Sequence, residues 1–235
     1  MSSSKLPLRV ICATKKTREE FLSESPTGQT LLRFSDVTPV ELILHTRNTK
    51  GLSELYNVAI EEAISSPCIL VFMHDDIEIL DFFWGERVRQ GLSKFDILGL
   101  AGNSRRKPFQ PSWFFAEFDE ERLIQDNKEN FSGSVGHFNS STGKNDISVY
   151  GDVGKRCELL DGLFLAAESK KLNTTNTKFD SIFRFHFYDM DFCRTADRNG
   201  LSMGTIGLSV VHHSGGSFDA KWKSVYKHYI EKWQD

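Results

Sequence analysis

Apolar runs typical of strands alternate with helical patterns over the first hundred residues. The apolar runs are Leu8–Ala13, Val40–His45, 68–73 and 97–102. Apolar side chains recur at helical spacing in one of the segments between them and predict a helix over about 51–65. Capping signals predict two more helices, at about 17–25 and 82–95. Because strands joined through helices run parallel, this order predicts an α/β fold with a mostly parallel central sheet and helices on both faces.

Local start and stop signals support these helices. Thr17 is followed three residues later by Glu20, the spacing of a capping box, and Asp81 can cap the helix that follows it. Pro67 lies just after the helix over 51–65 and ends it. Gly200 follows a helical pattern over 188–199, at the position that favours a left-handed cap.

The pattern loosens between residues 103 and 154, where Ser, Gly and Asn are frequent. Long irregular segments inside a domain tend to be functional or mobile, so we expect a surface excursion with a short hairpin there. Regular patterns return with strands over 162–167 and 208–212 and a terminal helix over 220–233. The sequence shows no repeat and no linker, which predicts a single domain.

Composition narrows the class of protein. The chain has 235 residues, 26% of them charged, and a net charge of -3, which predicts a soluble protein without general attraction for nucleic acid or anionic lipid. Its four scattered cysteines have no zinc or redox spacing, so we expect free thiols in a reducing compartment. Without a signal segment or a long apolar run, we expect a cytoplasmic protein with at most peripheral membrane contact. These features leave the oligomeric state open.

The sequence His74-Asp75-Asp76 follows the apolar run over 68–73. Open α/β sheets bind ligands at the carboxyl ends of their strands, where one or two carboxylates can hold a divalent cation. Neighbouring strand residues point to opposite faces, so both carboxylates reach one ligand only if the strand ends between them. The alternative is an acidic strand end that caps the next helix.

A second acidic group, Asp189 and Asp191, begins the helix predicted over 188–199. Carboxylates there interact favourably with the helix dipole, which is the structural explanation. A catalytic role requires one carboxylate to face a cleft and accept a proton. Neighbouring phenylalanines would then raise its pKa by partial desolvation.

Two histidines, His212 and His213, end an apolar strand and precede Ser214 and two glycines. Their side chains alternate in direction, so one can face a site while the other is buried. Imidazole ligands favour manganese over magnesium, and the Ser-Gly-Gly segment could form a turn that contacts an anion. The alternative is a solvated loop beside a core histidine.

The order of these segments resembles the metal-dependent glycosyltransferases of family 2, which have the GT-A fold. More narrowly, the segments 55–59, 72–77 and 211–216 are similar to a subgroup that includes streptomycin-biosynthesis and surface-polysaccharide glycosyltransferases. The resemblance spans about residues 8–218. It implies a nucleotide-sugar half over about 8–102 and an acceptor half over about 155–218, followed by the terminal helix over 220–233.

The resemblance also implies an activity: inverting transfer of a sugar from a nucleoside-diphosphate donor to a glycan or other hydroxyl acceptor, in polysaccharide or glycoconjugate synthesis. Mn²⁺ or Mg²⁺ would be held by Asp76, His212 and His213. Asp189, with Asp191, would provide the catalytic base. Donor contacts would come from Ala13, Thr14, Asn57, His74, Asp75 and Arg105, and acceptor contacts from Asp161, Gly162 and Trp113.

Two positions depart from the family pattern. Tyr188 stands where the family has a glutamate before the catalytic aspartate, and the exit of the first strand lacks the usual asparagine. A non-catalytic sugar-nucleotide or glycan-binding module on the same fold is therefore an alternative. A nucleotidyltransferase is disfavoured, because the segment 14–17 after the first strand lacks a glycine-rich phosphate loop.

Overall fold

The computed structural model describes residues 5–119, 121–215 and 218–234. Its strands are β1 (Leu8–Ala13), β2 (Val40–His45), β3 (Ile69–Met73), β4 (Ile77–Ile79), β5 (Ile97–Gly99), β6 (Ala101–Asn103), β7 (Phe115–Phe118), β8 (Leu123–Gln125), β9 (Phe131–Asn139), β10 (Lys144–Gly151), β11 (Arg156–Cys157), β12 (Leu159–Leu160), β13 (Phe164–Glu168), β14 (Met203–Thr205) and β15 (Val210–His212). Its α-helices are α1 (Arg18–Glu24), α2 (Pro26–Arg33), α3 (Leu52–Glu62), α4 (Trp84–Leu92), α5 (Ser169–Thr174), α6 (Tyr188–Arg198) and α7 (Ala220–Trp233), with a 3-10 turn at Lys128–Asn130.

A seven-stranded sheet has the strand order β11-β14-β5-β13-β3-β1-β2. The strands β1, β2, β3, β5 and β14 all run in one direction. In contrast, β13 is antiparallel to both of its neighbours, and β11 is antiparallel to β14 at the edge. The predicted mostly parallel sheet is therefore confirmed, with one antiparallel strand inserted near its centre.

Helices cover both faces of this sheet, as predicted. On one face, α3 packs its Tyr56 ring against Phe72 of β3, with 4.6 Å between the ring centroids. On the other face, α4 approaches so closely that a Cβ atom on Gly85 would lie 2.7 Å from the Leu8 side chain. Leu8 is paired with Ile69, which points to the face opposite Phe72 because strand side chains alternate.

Most of the predicted local signals are also present. Thr17 and Glu20 form the capping box of α1. Asp81, predicted to cap α4, lies outside the cap: the N-cap is Phe83, whose amide donates a hydrogen bond to Asp81. Gly200 follows α6 with φ of +76°, the left-handed conformation expected of it. All four cysteines are buried free thiols. No described helix is long and apolar enough to cross a membrane.

A second sheet, with the order β12-β6-β9-β15-β4 and β10 paired to β9, stands beside the first. The chain passes from the first sheet to the second immediately after β3, at residues 74–76, and again at Leu100. The segment 97–102, predicted as one strand, is thus divided between two sheets. His212 of β15 pairs with Ile77 of β4 and with His137 of β9. The segment 74–76, which leads into β4, therefore meets the end of β15 where the two sheets diverge.

The region 103–154 is more regular than we expected. Instead of a surface excursion with a short hairpin, it contains the long hairpin β9–β10 and a smaller hairpin β7–β8, and β9 lies in the middle of the second sheet. The glycines that suggested a loop allow close strand contact. At Gly133, φ is +103° and a Cβ atom would lie 2.0 Å from the Leu100 carbonyl oxygen, so no other residue fits.

Candidate active site

A cavity of about 560 Å³ opens where the two sheets diverge. It lies at the carboxyl ends of β1 and β3, beside the beginning of α6 and the end of β15. Nine of the residues predicted for the site line it: Ala13, His74, Asp75, Asp76, Trp113, Asp161, Gly162, Asp189 and His212. The structure therefore brings together groups that are more than one hundred residues apart in the sequence.

Three of these residues form a compact group suited to a metal ion. One ligand atom from each of His74, Asp76 and His212 lies within 4.8 Å of the other two. Asp76 Oδ1 lies 3.3 Å from His212 Nε2, yet it is buried and makes no hydrogen bond with the described residues. A buried carboxylate requires a positive partner, and a metal cation could supply that charge in place of a protonated His212. The nitrogen and oxygen ligands fit Mn²⁺ well.

The electrostatics of this group favour the charge state that a metal needs at Asp76 and His74, whereas at His212 they favour the bound proton. Burial alone would raise the pKa of Asp76, but the contact with His212 and its charge outweigh burial and hold the pKa well below its usual range. Burial lowers the pKa of His74, which favours the neutral imidazole. For His212, burial lowers the pKa, but Asp76 reverses the shift, so a proton competes with a metal at this nitrogen.

Asp189 faces the same cavity from the first turn of α6. Its Oδ2 accepts a hydrogen bond from the Gly162 amide at 3.0 Å, and its Oδ1 accepts one from the Met190 amide at 2.9 Å. Burial and the charge of Asp161 together raise the pKa of Asp189 to about 7. A carboxylate with that pKa is well matched to accept a proton near neutral pH.

Asp161 and Trp113 form another part of the cavity lining. The Trp113 indole donates a hydrogen bond to Asp161 Oδ2 at 2.8 Å, and the Leu163 amide donates to Asp161 Oδ1 at 3.0 Å. The Tyr150 ring packs edge-on against Trp113, with 4.9 Å between the centroids. An aromatic surface beside a carboxylate can contact both the apolar face and the hydroxyl groups of a sugar.

Tyr188, which stands where the resembled family has a glutamate, is buried and forms part of the cavity wall. Its hydroxyl lies 2.8 Å from His74 Nε2 and donates a hydrogen bond to the Gly162 carbonyl at 2.8 Å. Burial raises the pKa of Tyr188 well above its usual value, so the phenol remains protonated. It cannot replace the missing carboxylate as a base near neutral pH.

Two predicted site residues lie outside the cavity. Asp191 is fully buried below α7, where Lys232 Nζ lies 2.6 Å and Trp233 Nε1 2.9 Å from its Oδ1. The side chains at 189 and 191 point in different directions because a helix turns about 200° over two residues. His213 does not reach the metal group: its Nε2 lies 3.2 Å from Glu78 Oε2. Neighbouring side chains on an extended chain point in opposite directions, so His212 and His213 point away from each other.

Three predicted donor-binding residues also have structural partners away from the cavity. The Asn57 side chain bonds to the backbone of Phe179 through both its oxygen and its nitrogen. Arg105 pairs with the buried Asp126. Thr14 is buried and its hydroxyl accepts a hydrogen bond from a neighbouring amide. Gly216, part of the predicted anion-contacting turn, lies outside the described residues.

Several lining residues were not predicted from the sequence. His137 of β9 lies beside His212, and its Nε2 is 3.2 Å from the Tyr150 hydroxyl. His186, Phe218 and Trp222 also line the cavity, together with Phe185, one of the phenylalanines expected beside Asp189. Val135, His137 and Asn139 stand at every second position, which is compatible with a strand at β9. The serines and glycines around them weaken this pattern, so the sequence alone did not predict the strand.

The fold has counterparts among solved structures. A197 from STIV superposes with a TM-score of 0.51 at 8% identity, covering 89% of this chain and 87% of that one. The catalytic domain of Drosophila β1,4-galactosyltransferase 7, in complex with xylobiose, superposes with a TM-score of 0.50 at 10% identity, covering 94% of this chain and 79% of that one. No protein-family model and no curated protein matches the sequence. At such low identity the likeness concerns the fold: the chain is a mixed α/β domain of the GT-A-like type.

Proposed function

We propose that this protein is a metal-dependent inverting glycosyltransferase that moves a sugar from a nucleoside-diphosphate donor to a hydroxyl acceptor. The observation that carries the proposal is that Asp189, with a pKa of about 7, lines the same cavity as the group His74, Asp76 and His212. A proton acceptor and a candidate cation site are the two functions that the reaction requires on opposite sides of the transferred sugar.

The residues of the cavity divide between donor and acceptor. His74, Asp76 and His212 would hold Mn²⁺ or Mg²⁺, which when bound stabilises the negative charge that develops on the diphosphate. Asp75 and Ala13, at the ends of β3 and β1, would contact the nucleoside. Trp113, Asp161 and Gly162 would contact the acceptor, which we place in polysaccharide or glycoconjugate synthesis.

The chemical step follows from the position of Asp189. The acceptor oxygen attacks the anomeric carbon from the side opposite the diphosphate while Asp189 takes the hydroxyl proton. The new carbon–oxygen bond forms as the bond to the diphosphate breaks, and the electron pair leaves with the diphosphate. Attack from the opposite side inverts the anomeric configuration. Proton removal by a positioned base contributes about 10² to 10⁴ in rate.

A second candidate is a non-catalytic module that binds sugar nucleotides or glycans in the same cavity. The replacement of the family's glutamate by the buried Tyr188 favours it, because one acidic group of the family pattern is missing. Such a protein would be stabilised against heat by a sugar nucleotide without releasing nucleoside diphosphate.

The experiment measures release of nucleoside diphosphate from a panel of sugar nucleotides with Mn²⁺ present, with and without EDTA. We expect EDTA and Asp76→Ala each to reduce release by at least about tenfold, whereas Asp152→Ala, at an exposed aspartate outside the cavity lining, should leave it unchanged. Release that persists in EDTA and in Asp76→Ala would remove the metal from the mechanism. Thermal stabilisation by a donor without any release would favour the binding module.

A further inference from the structure

A chain of hydrogen bonds links the candidate metal group to the proposed base. His74 Nε2 lies 2.8 Å from the Tyr188 hydroxyl, which lies 2.8 Å from the Gly162 carbonyl oxygen. The Gly162 amide in turn donates to Asp189 Oδ2 at 3.0 Å. Tyr188 is 3% exposed, so water has little access to this chain. The same residue that departs from the family pattern therefore stands between the two functional groups.

The number of protons fixes the direction of each hydrogen bond. A carbonyl oxygen can only accept, so Tyr188 must give its single hydroxyl proton to Gly162. The phenolic oxygen can then meet His74 only as an acceptor, and Nε2 of His74 must carry a proton. In a neutral imidazole, a proton on Nε2 leaves Nδ1 with an unshared electron pair. A metal binds the nitrogen that has no proton.

Close packing holds Tyr188 in place. A Cβ atom on Gly162 would lie 2.3 Å from the Tyr188 hydroxyl oxygen and 2.8 Å from Asp189 Cβ, so residue 162 must be glycine for both side chains to approach. The Tyr188 ring also packs against the rings of Tyr56 and Phe179, with centroids 6.0 and 6.1 Å away. The hydroxyl thus has one defined position between His74 and Gly162.

We propose that Tyr188 is a positioning residue that holds His74 as the Nε2–H tautomer and makes Nδ1 its metal ligand. This inference rests on the metal site of the proposed function and assigns a role to the residue that replaces the family's glutamate. Tyr188 acts on the metal group through His74, and on the orientation of Asp189 through Gly162. It exchanges no proton with a substrate.

The first test is the tautomer of His74 in the metal-free protein, read from ¹⁵N NMR of labelled histidines at pH 8, with the His74 signal assigned by its absence in His74→Gln. We expect the Nε2–H tautomer in the wild type and a loss of this single state in Tyr188→Phe. Tyr56→Phe is the matched control, because Tyr56 is fully buried and its hydroxyl has no hydrogen-bond partner among the described residues. An Nδ1–H tautomer in the wild type would overturn the proposal.

The second test is Mn²⁺ affinity, titrated by electron paramagnetic resonance without substrate. Removal of an outer-shell partner costs about 10- to 100-fold in metal affinity, so we expect a loss in this range for Tyr188→Phe and none for Tyr56→Phe. In the double variant Tyr188→Phe/His74→Gln, the affinity should equal that of His74→Gln alone. Unchanged affinity in Tyr188→Phe, or losses that add in the double variant, would refute the proposal. Neither test requires turnover, so a failed transfer assay leaves both results interpretable.

Discussion

Asp189 and Asp191 lie two residues apart on α6, yet their surroundings differ completely. Asp189 is partly exposed to the cavity and accepts hydrogen bonds from two backbone amides. Asp191 is fully buried against Lys232 and Trp233. Both were sequence-based candidates for catalysis, because the sequence gives the spacing of two carboxylates but not the direction of each side chain. The structure separates a candidate base from a structural anchor.

Asp189→Asn should strongly reduce turnover and remove its dependence on pH near neutrality. At saturating Mn²⁺, the wild-type kcat/KM should rise with pH and level off above about pH 7, because the pKa of Asp189 is about 7 and only the ionised form accepts a proton. In Asp189→Asn the rate should fall by about 10² to 10⁴ while donor binding is retained. Normal turnover in this variant would show that another group is the base.

The raised pKa of Asp189 also makes the free energy of unfolding depend on pH. An unfolded aspartate has a pKa of about 3.9, so the folded protein holds an additional proton at Asp189 between about pH 4 and pH 7. The contribution of this group to the free energy of unfolding therefore falls as pH rises through that range. Asp189→Asn should remove this fall, which urea unfolding at several pH values measures. An unchanged pH dependence would mean that the Asp189 pKa is not raised.

At the scale of elements, the site depends on where the chain leaves one sheet for the other. The strands β1, β2 and β3 were predicted with nearly correct bounds because apolar residues dominate each run, with one charged residue each in β1 and β2 (Arg9 and Glu41). For the segment after β3, the sequence predicted only that the strand ends. In the structure the chain continues as β4, which lies in the second sheet and pairs with β15. That pairing places His212 beside Asp76. Register between distant strands leaves no local signal, so the sequence could suggest this contact only through the family resemblance.

The terminal helix α7 is held to α6 by Asp191, which predicts an effect on stability rather than on catalysis. In Asp191→Ala, Lys232 and the buried Trp233 indole lose their shared acceptor, and we expect the free energy of unfolding to fall by about 1–3 kcal/mol. Turnover per folded molecule should remain close to that of the wild type. Denaturant unfolding and the transfer assay check both parts. A large loss of turnover with unchanged stability would indicate that Asp191 takes part in catalysis.

At the scale of the whole molecule, two sheets and the helices around them enclose one cavity with acidic, imidazole and aromatic groups. The alternation of the first hundred residues was sufficient to predict the α/β class and the side of the sheet that binds ligands. The part of the cavity wall formed by His137 and Tyr150 could not be predicted in the same way. Its residues come from a Ser- and Gly-rich region in which close strand contact, rather than an apolar pattern, determines the structure.

The most direct measurement is a crystal structure with Mn²⁺ and a nucleoside diphosphate, in which anomalous scattering locates the manganese. The expected result is one manganese peak within about 2.0–2.3 Å of ligand atoms from His74, Asp76 and His212, with the diphosphate bound to the metal on the side that faces Asp189. Manganese elsewhere on the protein, or a nucleotide bound outside this cavity, would contradict it.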